Sequence, residues 1–162
     1  MLDETNKLTR KHLQWLRACV ANAEIFRRCQ KKAFFCFIID KYGKVAGTGY
    51  NGLPSGMVDC VDGGCPRALN DVPSGTPYDS GPGLCFSSHA EINALAHGDG
   101  DRFHGATLYV NGEPCLTCAK SIASAGIKTI VCLVEEHRVN TATVDDFLAK
   151  AKVDLQKLKI GN

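Results

Sequence analysis

Two short motifs contain residue types that can bind a metal ion. The first places His89 two residues before Glu91, and the second places Cys115 three residues before Cys118, directly after Pro114. One imidazole and two thiolates are a ligand set that zinc accepts at a catalytic site, where three protein ligands leave a fourth position open. The sequence therefore predicts a catalytic zinc site made of His89, Cys115 and Cys118.

Glu91 has the position of a proton carrier rather than of a ligand. It stands two residues from His89, so the two side chains cannot point the same way on a helix, but in the first turn the carboxylate can lie over the open metal position. Zinc lowers the pKa of a bound water, and a neighbouring carboxylate can pass that proton to a leaving amine. Together the motifs form the H-x-E and P-C-x-x-C pattern of zinc-dependent nucleobase deaminases.

Taken singly, each motif has a simpler interpretation. Cys115 and Cys118 could form a thioredoxin-like dithiol. His89 could be a helix cap or a core histidine, and Glu91 a solvated acid in a first helical turn. The joint pattern favours the catalytic zinc site, because each motif opens a helix and a single strand separates the two.

The hydrophobic pattern predicts the elements that position these motifs. The predicted elements are a helix at 7–28, strands at 33–39 and 44–50 joined by a tight turn, a helix at 88–97, a strand at 106–110, a helix at 115–125, a strand at 128–134, a helix at 144–152 and a strand at 153–158. Between 51 and 85 the composition shifts to Gly, Pro, Ser and Asp, which predicts an irregular insertion. The later alternation of helices and strands predicts parallel strands with helical crossovers.

Length, composition and charge restrict the class of protein. A chain of 162 residues predicts one domain, with the insertion at about 53–86. The longest apolar run, 33–39, is too short to cross a bilayer, and a net charge of +2 offers no broad basic surface for nucleic acid. Nine cysteines are an odd number, and the N-terminal residues lack an apolar leader, so we expect a cytoplasmic protein whose cysteines bind metal rather than form disulfides.

Several segments resemble those of the cytidine/deoxycytidylate deaminase superfamily. They are His89-Ala-Glu-Ile-Asn-Ala-Leu95, Glu113-Pro-Cys-Leu-Thr-Cys-Ala-Lys120 and Ala125-Gly-Ile127, and Gly49-Tyr-Asn-Gly-Leu-Pro-Ser-Gly56 is similar to a loop of the deoxycytidylate deaminases. The resemblance extends from the first hairpin to about residue 134. It implies a cytidine-deaminase-like α/β fold of three α/β/α layers with a mixed sheet of about five strands. It also implies hydrolysis of dCMP to dUMP and ammonia.

The resemblance further implies which residues contact the base and the sugar of a nucleotide substrate. It implies that Asn51 hydrogen bonds the sugar, that the Ala90 N–H holds the base O2 atom, and that the Glu113 carbonyl accepts from the amino group. From the residues alone, Asn51 followed by Gly52 is foremost a turn signal.

Residues 135–138 follow the strand at 128–134, where relatives often place an aromatic residue near the base. His137 is therefore a candidate to stack on the base and Arg138 to reach the phosphate, with a solvated charged loop as the open alternative. Arg67 in the insertion is a second phosphate candidate. Ser87 and Ser88 stand where relatives commonly carry an Arg-Thr pair or similar, which leaves phosphate recognition open.

A second group of cysteines resembles a structural zinc site of some of these deaminases. The group consists of Cys29, Cys60, Cys65 and Cys85. Four thiolates suit a closed tetrahedral site, and a metal ion can order a loop that has few apolar residues. The alternative is that the four are free thiols. The three other cysteines outside the catalytic motif are predicted to be small buried apolar residues, namely Cys19, Cys36 and Cys132.

Three functional alternatives follow from the sequence. The first is a zinc-dependent deaminase of a cytosine mononucleotide, with dCMP as the expected substrate. The second is a related deaminase acting on cytidine, a modified base or a tRNA base. The third is a non-catalytic zinc-binding interaction module, which leaves the position of Glu91 unexplained. The resemblance also implies a homo-oligomer, hexameric in many relatives, with activation by dCTP and inhibition by dTTP.

Overall fold

The computed structural model describes residues 4–70, 72–73, 75–136 and 141–161. Within these ranges the α-helices and strands alternate after an N-terminal helix and a hairpin. In chain order they are α1 (Glu4–Ile25), β1 (Phe35–Ile39), β2 (Val45–Tyr50), α2 (Pro66–Leu69), α3 (Ala90–His97), β3 (Thr107–Val110), α4 (Leu116–Ser124), β4 (Thr129–Leu133), α5 (Thr141–Lys150) and β5 (Asp154–Leu158). Short 3-10 helices lie at Cys60–Asp62, Gly81–Gly83 and Gly100–Arg102.

The five strands form one mixed sheet in the order β2-β1-β3-β4-β5. β1 runs antiparallel to both β2 and β3, whereas β3, β4 and β5 are parallel to one another. The predicted hairpin and the predicted helical crossovers are therefore confirmed. β1 begins at the same edge of the sheet at which β2, β3, β4 and β5 end. The segment before β1 and the segments after the other four strands therefore meet there.

Helices cover both faces of the sheet. One face packs on α1, where Leu16 and Cys19 contact Ile39 and Val131. The other face carries the larger core under α3, α4 and α5. Its buried strand residues are Cys36, Ile38, Ala46, Leu108, Val110, Ile130 and Cys132. The arrangement confirms the α/β fold with three α/β/α layers and a five-stranded mixed sheet. Cys19, Cys36 and Cys132 are fully buried, as predicted.

Three helices differ from the expectation by two or more residues at one or both ends. α1 begins at residue 4 and ends at 25, not 7 and 28, and α3 begins at Ala90 because His89 has an extended backbone. The last helix, α5, covers Thr141–Lys150 rather than the expected 144–152. Lys152 has a φ of 57°, a left-handed conformation that cannot continue a right-handed helix.

The segment between β2 and α3 is irregular, as predicted, and its two ends are joined. Gly52 and Ser88 form an antiparallel bridge, with N–H to carbonyl distances of 3.2 and 2.9 Å. Within the segment, the buried Arg67 donates through Nη1 to three carbonyls and lies over the Tyr78 ring. The carbonyls belong to Thr76, Pro77 and Gly83, at 3.1, 3.2 and 2.7 Å. Arg67 thus holds three carbonyls of the insertion together rather than extending toward a ligand.

Among the helices of the described ranges, none has the length and apolar character that crossing a membrane requires.

Candidate metal centre and active site

The metal-binding motifs lie at the N-termini of two neighbouring helices. His89 immediately precedes α3 and Cys115 immediately precedes α4, and both have the extended backbone of an N-cap residue. The Cys115 sulfur accepts from the Cys118 N–H at 3.4 Å. The free N–H groups and the positive dipole of a helix N-terminus stabilise a thiolate at this position.

The three ligand atoms are close enough to share one ion. His89 Nδ1 lies 3.5 Å from Cys115 Sγ and 3.3 Å from Cys118 Sγ, and all three atoms lie within 4.8 Å of one another. A tetrahedral zinc with ordinary bond lengths would hold such a nitrogen and sulfur about 3.5 Å apart. His89, Cys115 and Cys118 therefore fit a zinc ion with three protein ligands.

The two cysteines differ in the pKa of their thiols. Hydrogen bonds from Cys118 and then from His89 lower the pKa of Cys115 to about 3, while the contact with Cys115 and burial raise the pKa of Cys118. Cys115 is thus the more acidic of the two thiols. A bound cation would favour ionisation of both sulfurs.

Glu91 lies against the same sulfur atoms in the first turn of α3. Its side chain is buried, with 6% of the residue exposed, and it forms a hydrogen bond with the Cys118 thiol. Burial raises the pKa of the Glu91 carboxyl. A buried carboxyl with a raised pKa is suited to both accepting and donating protons near neutral pH.

Close packing on β2 fixes the start of α3. A Cβ atom on Gly49 would lie 2.3 Å from the Ala90 carbonyl oxygen, so the helix approaches the strand as closely as only glycine allows. Asn93 of α3 also donates to the Tyr50 carbonyl at 2.8 Å. Ala90, the predicted contact of the base, is fully buried at the first position of α3.

Asn51 follows β2 beside the bridge that joins Gly52 to Ser88. Its Oδ1 accepts from the Phe34 N–H at 2.7 Å and its Nδ2 donates to the Lys32 carbonyl at 2.9 Å. Asn51 thus ties the entry of β1 to the end of β2. An amide has two donors and two acceptor positions, so one of each is left over from these two bonds.

Asn111 makes a matching pair of bonds from the other side, which the sequence analysis did not foresee. Its Oδ1 accepts from the Phe35 N–H at 2.7 Å, and its Nδ2 donates to the Ala33 carbonyl at 3.0 Å. Two asparagines, one after β2 and one after β3, therefore hold alternate residues of the chain entering β1. No short-range signal in the sequence indicates these contacts, because they form across 17 and 76 residues.

Glu113, the predicted carbonyl contact of the substrate, is two residues before Cys115, and its side chain is also engaged. The residue is 8% exposed, and its carboxylate accepts from the Glu135 N–H at 3.2 Å and pairs with Lys157 at 3.0 Å. Glu135 and Lys157 were not recognised from the sequence. His137 and Arg138 lie outside the described residues.

The four cysteines of the second group come together as two pairs. Cys65 Sγ lies 3.7 Å from Cys85 Sγ, and Cys29 is close enough to Cys60 to help raise the pKa of the Cys60 thiol. Sulfurs bound to one tetrahedral zinc would lie about 3.8 Å apart. In the part of the chain that the structure describes, however, His89, Cys115 and Cys118 are the one set of three or more potential ligands within 4.8 Å of one another. The four-cysteine group is thus looser than the first site.

Backbone N–H groups point at three of these four sulfurs. Burial raises the pKa of Cys60 to about 11, although the Gln30 N–H opposes the shift. Burial also acts against ionisation of Cys65, but the N–H groups of Phe86, Arg67 and Ala68 and the Cys85 thiol together outweigh it and lower the pKa of Cys65. Such N–H groups favour a thiolate, the form of cysteine that binds metal.

The sequence and the fold can both be compared with known proteins. The model of the cytidine and deoxycytidylate deaminase zinc-binding region matches residues 9–134. The deoxycytidylate deaminase of Mycobacterium phage D29 is 45% identical over 95 residues, which cover 58% of this chain and 73% of the phage protein. That of Enterobacteria phage T4 is 32% identical over 146 residues, covering 73% and 75%.

One curated relative is considerably longer than this chain. The deoxycytidylate deaminase of Schizosaccharomyces pombe is 38% identical over 104 residues, or 64% of this chain, and the match spans 31% of the yeast protein.

Two solved structures share the fold at low sequence identity. The dCMP deaminase from cyanophage S-TIM5, in complex with dCMP and dUMP, has a TM-score of 0.64 and 22% identity over 98% of this chain and 100% of its own. A diaminohydroxyphosphoribosylaminopyrimidine deaminase/reductase from Thermotoga maritima has a TM-score of 0.58 and 19% identity over 90% of this chain and 36% of its own. The family model covers most of the chain and includes His89, Glu91, Cys115 and Cys118, so the protein belongs to the cytidine and deoxycytidylate deaminase family of enzymes.

Proposed function

We propose that this protein hydrolyses dCMP to dUMP and ammonia. The observation that carries the proposal is the His89, Cys115 and Cys118 site with the buried carboxyl of Glu91 against Cys118. A site that only stabilises the fold needs a fourth ligand and no proton carrier, whereas a hydrolytic site needs an open position and an acid-base group. Three relatives that carry the name deoxycytidylate deaminase favour dCMP among the cytosine substrates.

In the proposed mechanism His89, Cys115 and Cys118 hold zinc, which when bound lowers the pKa of a water molecule and polarises it for attack. Glu91 takes one proton from the attacking water and delivers it to N3 of the base as the water oxygen bonds to C4. Glu91 then moves the second proton from the new hydroxyl group to the amine. The C4–N bond breaks, the carbonyl of uracil forms, and ammonia leaves.

The nucleotide contacts of the proposal come from segments that border this site. The Ala90 N–H is one of the unpaired donors of the first turn of α3 and would hold the base O2 atom. The Glu113 carbonyl would accept from the amino group, and Asn51 would bind the sugar with the donor and acceptor left over from its two main-chain bonds. His137 and Arg138 are proposed to contact the base and the phosphate.

The proposal includes a second, structural zinc ion bound by Cys29, Cys60, Cys65 and Cys85. It is supported by the 3.7 Å sulfur distance of one pair, the closeness of Cys29 to Cys60 in the other, and the backbone N–H groups that favour ionisation of the sulfurs. The 162 residues would act as one domain with an insertion at about 53–86. We further propose a cytoplasmic homo-oligomer, hexameric as the family resemblance implies, that responds to dCTP and dTTP.

Ammonia release from a substrate panel tests the proposed function. Zinc-loaded protein is incubated with dCMP, CMP, dCTP, deoxycytidine and cytidine, and kcat/KM is determined for each. We expect dCMP to be the best substrate. Equal kcat/KM for dCMP and deoxycytidine would contradict the mononucleotide assignment, and no ammonia from any cytosine compound would favour a deaminase of another base or a non-catalytic zinc module.

A further inference from the structure

Two glutamates form a reciprocal clasp at the edge of the sheet beside the metal site. Glu135 Oε2 accepts from the Glu113 main-chain N–H at 3.0 Å. In return, Glu113 Oε1 accepts from the Glu135 main-chain N–H at 3.2 Å. The clasp thus joins the segment between β3 and α4 to the segment after β4, and it holds Glu113 by both its main chain and its side chain.

Each carboxylate of the clasp uses its other oxygen on a lysine. Glu135 Oε1 pairs with Lys32, which precedes β1, and Glu113 Oε2 pairs with Lys157 of β5 at 3.0 Å. The two glutamates would repel each other if they were unpaired, and the two lysines offset that repulsion. Four segments of the sheet edge therefore converge on the residue two positions before Cys115.

The Glu135 carboxylate also packs against Gly112. A Cβ atom on Gly112 would lie 3.2 Å from Glu135 Oε2 and 2.3 Å from Phe34 Cε1. The chain between β3 and Cys115 is therefore enclosed by Glu135 and Phe34, with no space for a side chain at residue 112. Such enclosure limits how far the Glu113 peptide can move.

We propose that Glu135 is a positioning residue, whose carboxylate holds the Glu113 N–H and thereby sets the place of the Glu113 carbonyl relative to His89, Cys115 and Cys118. The inference rests on the proposed function, in which that carbonyl accepts from the amino group of the substrate. In this proposal Glu135 acts through the Glu113 main chain. The role depends on the reach of the side chain rather than on its charge, because an uncharged amide oxygen can accept the same bond.

Two variants of Glu135 distinguish the effect of side-chain length from the effect of charge. Glu135→Asp keeps the charge but shortens the side chain by one methylene, so the bond to the Glu113 N–H is lost. Glu135→Gln removes the charge but keeps the reach. Amide hydrogen exchange of residues 111–113 then tests the geometry without a substrate: we expect about tenfold faster exchange of the Glu113 N–H in Glu135→Asp and exchange within about threefold of the parent in Glu135→Gln.

Kinetics and product binding on the same variants test the positioning role. We expect Glu135→Asp to lower kcat for dCMP about tenfold or more, whereas Glu135→Gln stays within about threefold. The dissociation constant of dUMP should stay within about twofold in both, because dUMP has no amino group for the Glu113 carbonyl to accept from. The matched control is Glu136→Gln, which changes the adjacent exposed carboxylate that pairs with Lys159.

The reverse pattern, with Glu135→Asp like the parent and Glu135→Gln impaired, would overturn the inference in favour of a charge effect. Equal weakening of dCMP turnover and dUMP binding, in parallel with lower thermal stability, would overturn it in favour of a purely structural role. A parent protein that neither deaminates dCMP nor binds dUMP would contradict the proposed function instead. In that case the exchange rate of the Glu113 N–H decides the inference, and a rate unchanged in Glu135→Asp rejects it.

Discussion

The two groups of cysteines in this protein are held in different ways. Cys115 caps α4 and Cys118 lies in the first turn of this helix, which packs on the core, and the two sulfurs approach His89 Nδ1 to 3.5 and 3.3 Å. The four cysteines of the second group lie outside the sheet and the longer helices, and they form two pairs instead of one compact set. A preformed site can bind a metal for chemistry, whereas a site in a loop gains its order as the metal binds.

The residues around the two groups of cysteines also differ. Next to the first lies Glu91, a buried carboxyl with a raised pKa, which can move protons. Around the second, N–H groups of the main chain face the sulfurs, and Arg67 gathers three carbonyls of the same insertion. In the proposed function, the first group would carry the chemistry and the second would stabilise the insertion.

The largest effect is expected from Cys115→Ser. The variant loses one of three ligands of the catalytic ion, so ammonia release from dCMP should fall at least about 1000-fold, while one zinc per chain remains at the insertion. Metal analysis and an ammonia assay measure both results. The control is Cys19→Ala, a buried cysteine outside both groups, which should keep both ions. Loss of both ions in Cys115→Ser would show that the two sites are not independent.

Cys65→Ser should produce the complementary result. It should remove the insertion zinc, lower the free energy of unfolding by about 2–4 kcal/mol and lower the melting temperature by about 5–15 °C. Turnover per catalytic zinc should stay within about threefold of the parent at temperatures below melting. Calorimetry together with metal analysis measures the change. One zinc ion in freshly purified, unchelated parent protein would remove the second site from the account.

Arg67→Met tests how far the contacts of Arg67, as distinct from a bound metal ion, stabilise the insertion. The change removes hydrogen bonds from a charged donor to three carbonyls, so the free energy of unfolding in urea should fall by about 1.5–3 kcal/mol. The KM for dCMP should remain within about twofold of the parent, because the Arg67 guanidinium is engaged within the insertion. A raised KM with unchanged stability would instead give Arg67 the phosphate-binding role.

The turn between β1 and β2 lies apart from both cysteine groups and serves as a reference. The pKa of Asp40 is lowered chiefly by the hydrogen bond that its carboxylate accepts from the Lys44 N–H. Burial opposes this shift, and Arg102 lowers the pKa further. Ionised Asp40 therefore stabilises the folded protein above the ordinary carboxyl pKa of about 4, and this stabilisation is lost as the pH falls through the lowered pKa.

Asp40→Asn should accordingly be less stable than the parent at pH 7, and the difference should shrink as the pH falls below about 4. Urea unfolding of both proteins between pH 3 and pH 7 measures it. Metal loss in acid affects both proteins alike, so it cancels in the difference. A stability difference that does not change with pH would show that ionisation of Asp40 does not stabilise the folded protein.

The elements with strong periodicity and the three residues placed to hold a metal ion could be predicted from the sequence. The hairpin, the crossovers and the positions of His89 and Cys115 at helix starts follow from local patterns. The clasp of Glu113 and Glu135 could not be predicted, because it forms across 22 residues and depends on how β3 and β4 lie together. The role of Arg67 was also missed, since the distant carbonyls that it binds leave no trace in composition or spacing.

The central claim is that Glu91 moves protons at a zinc site built from His89, Cys115 and Cys118. The direct measurement compares ammonia release from dCMP by the parent and by Glu91→Gln, with bound zinc counted in both. The amide has nearly the shape of the acid but cannot shuttle a proton, so we expect a loss of about 100- to 10,000-fold with the catalytic zinc retained. Activity within about tenfold of the parent, with zinc bound, would contradict the account.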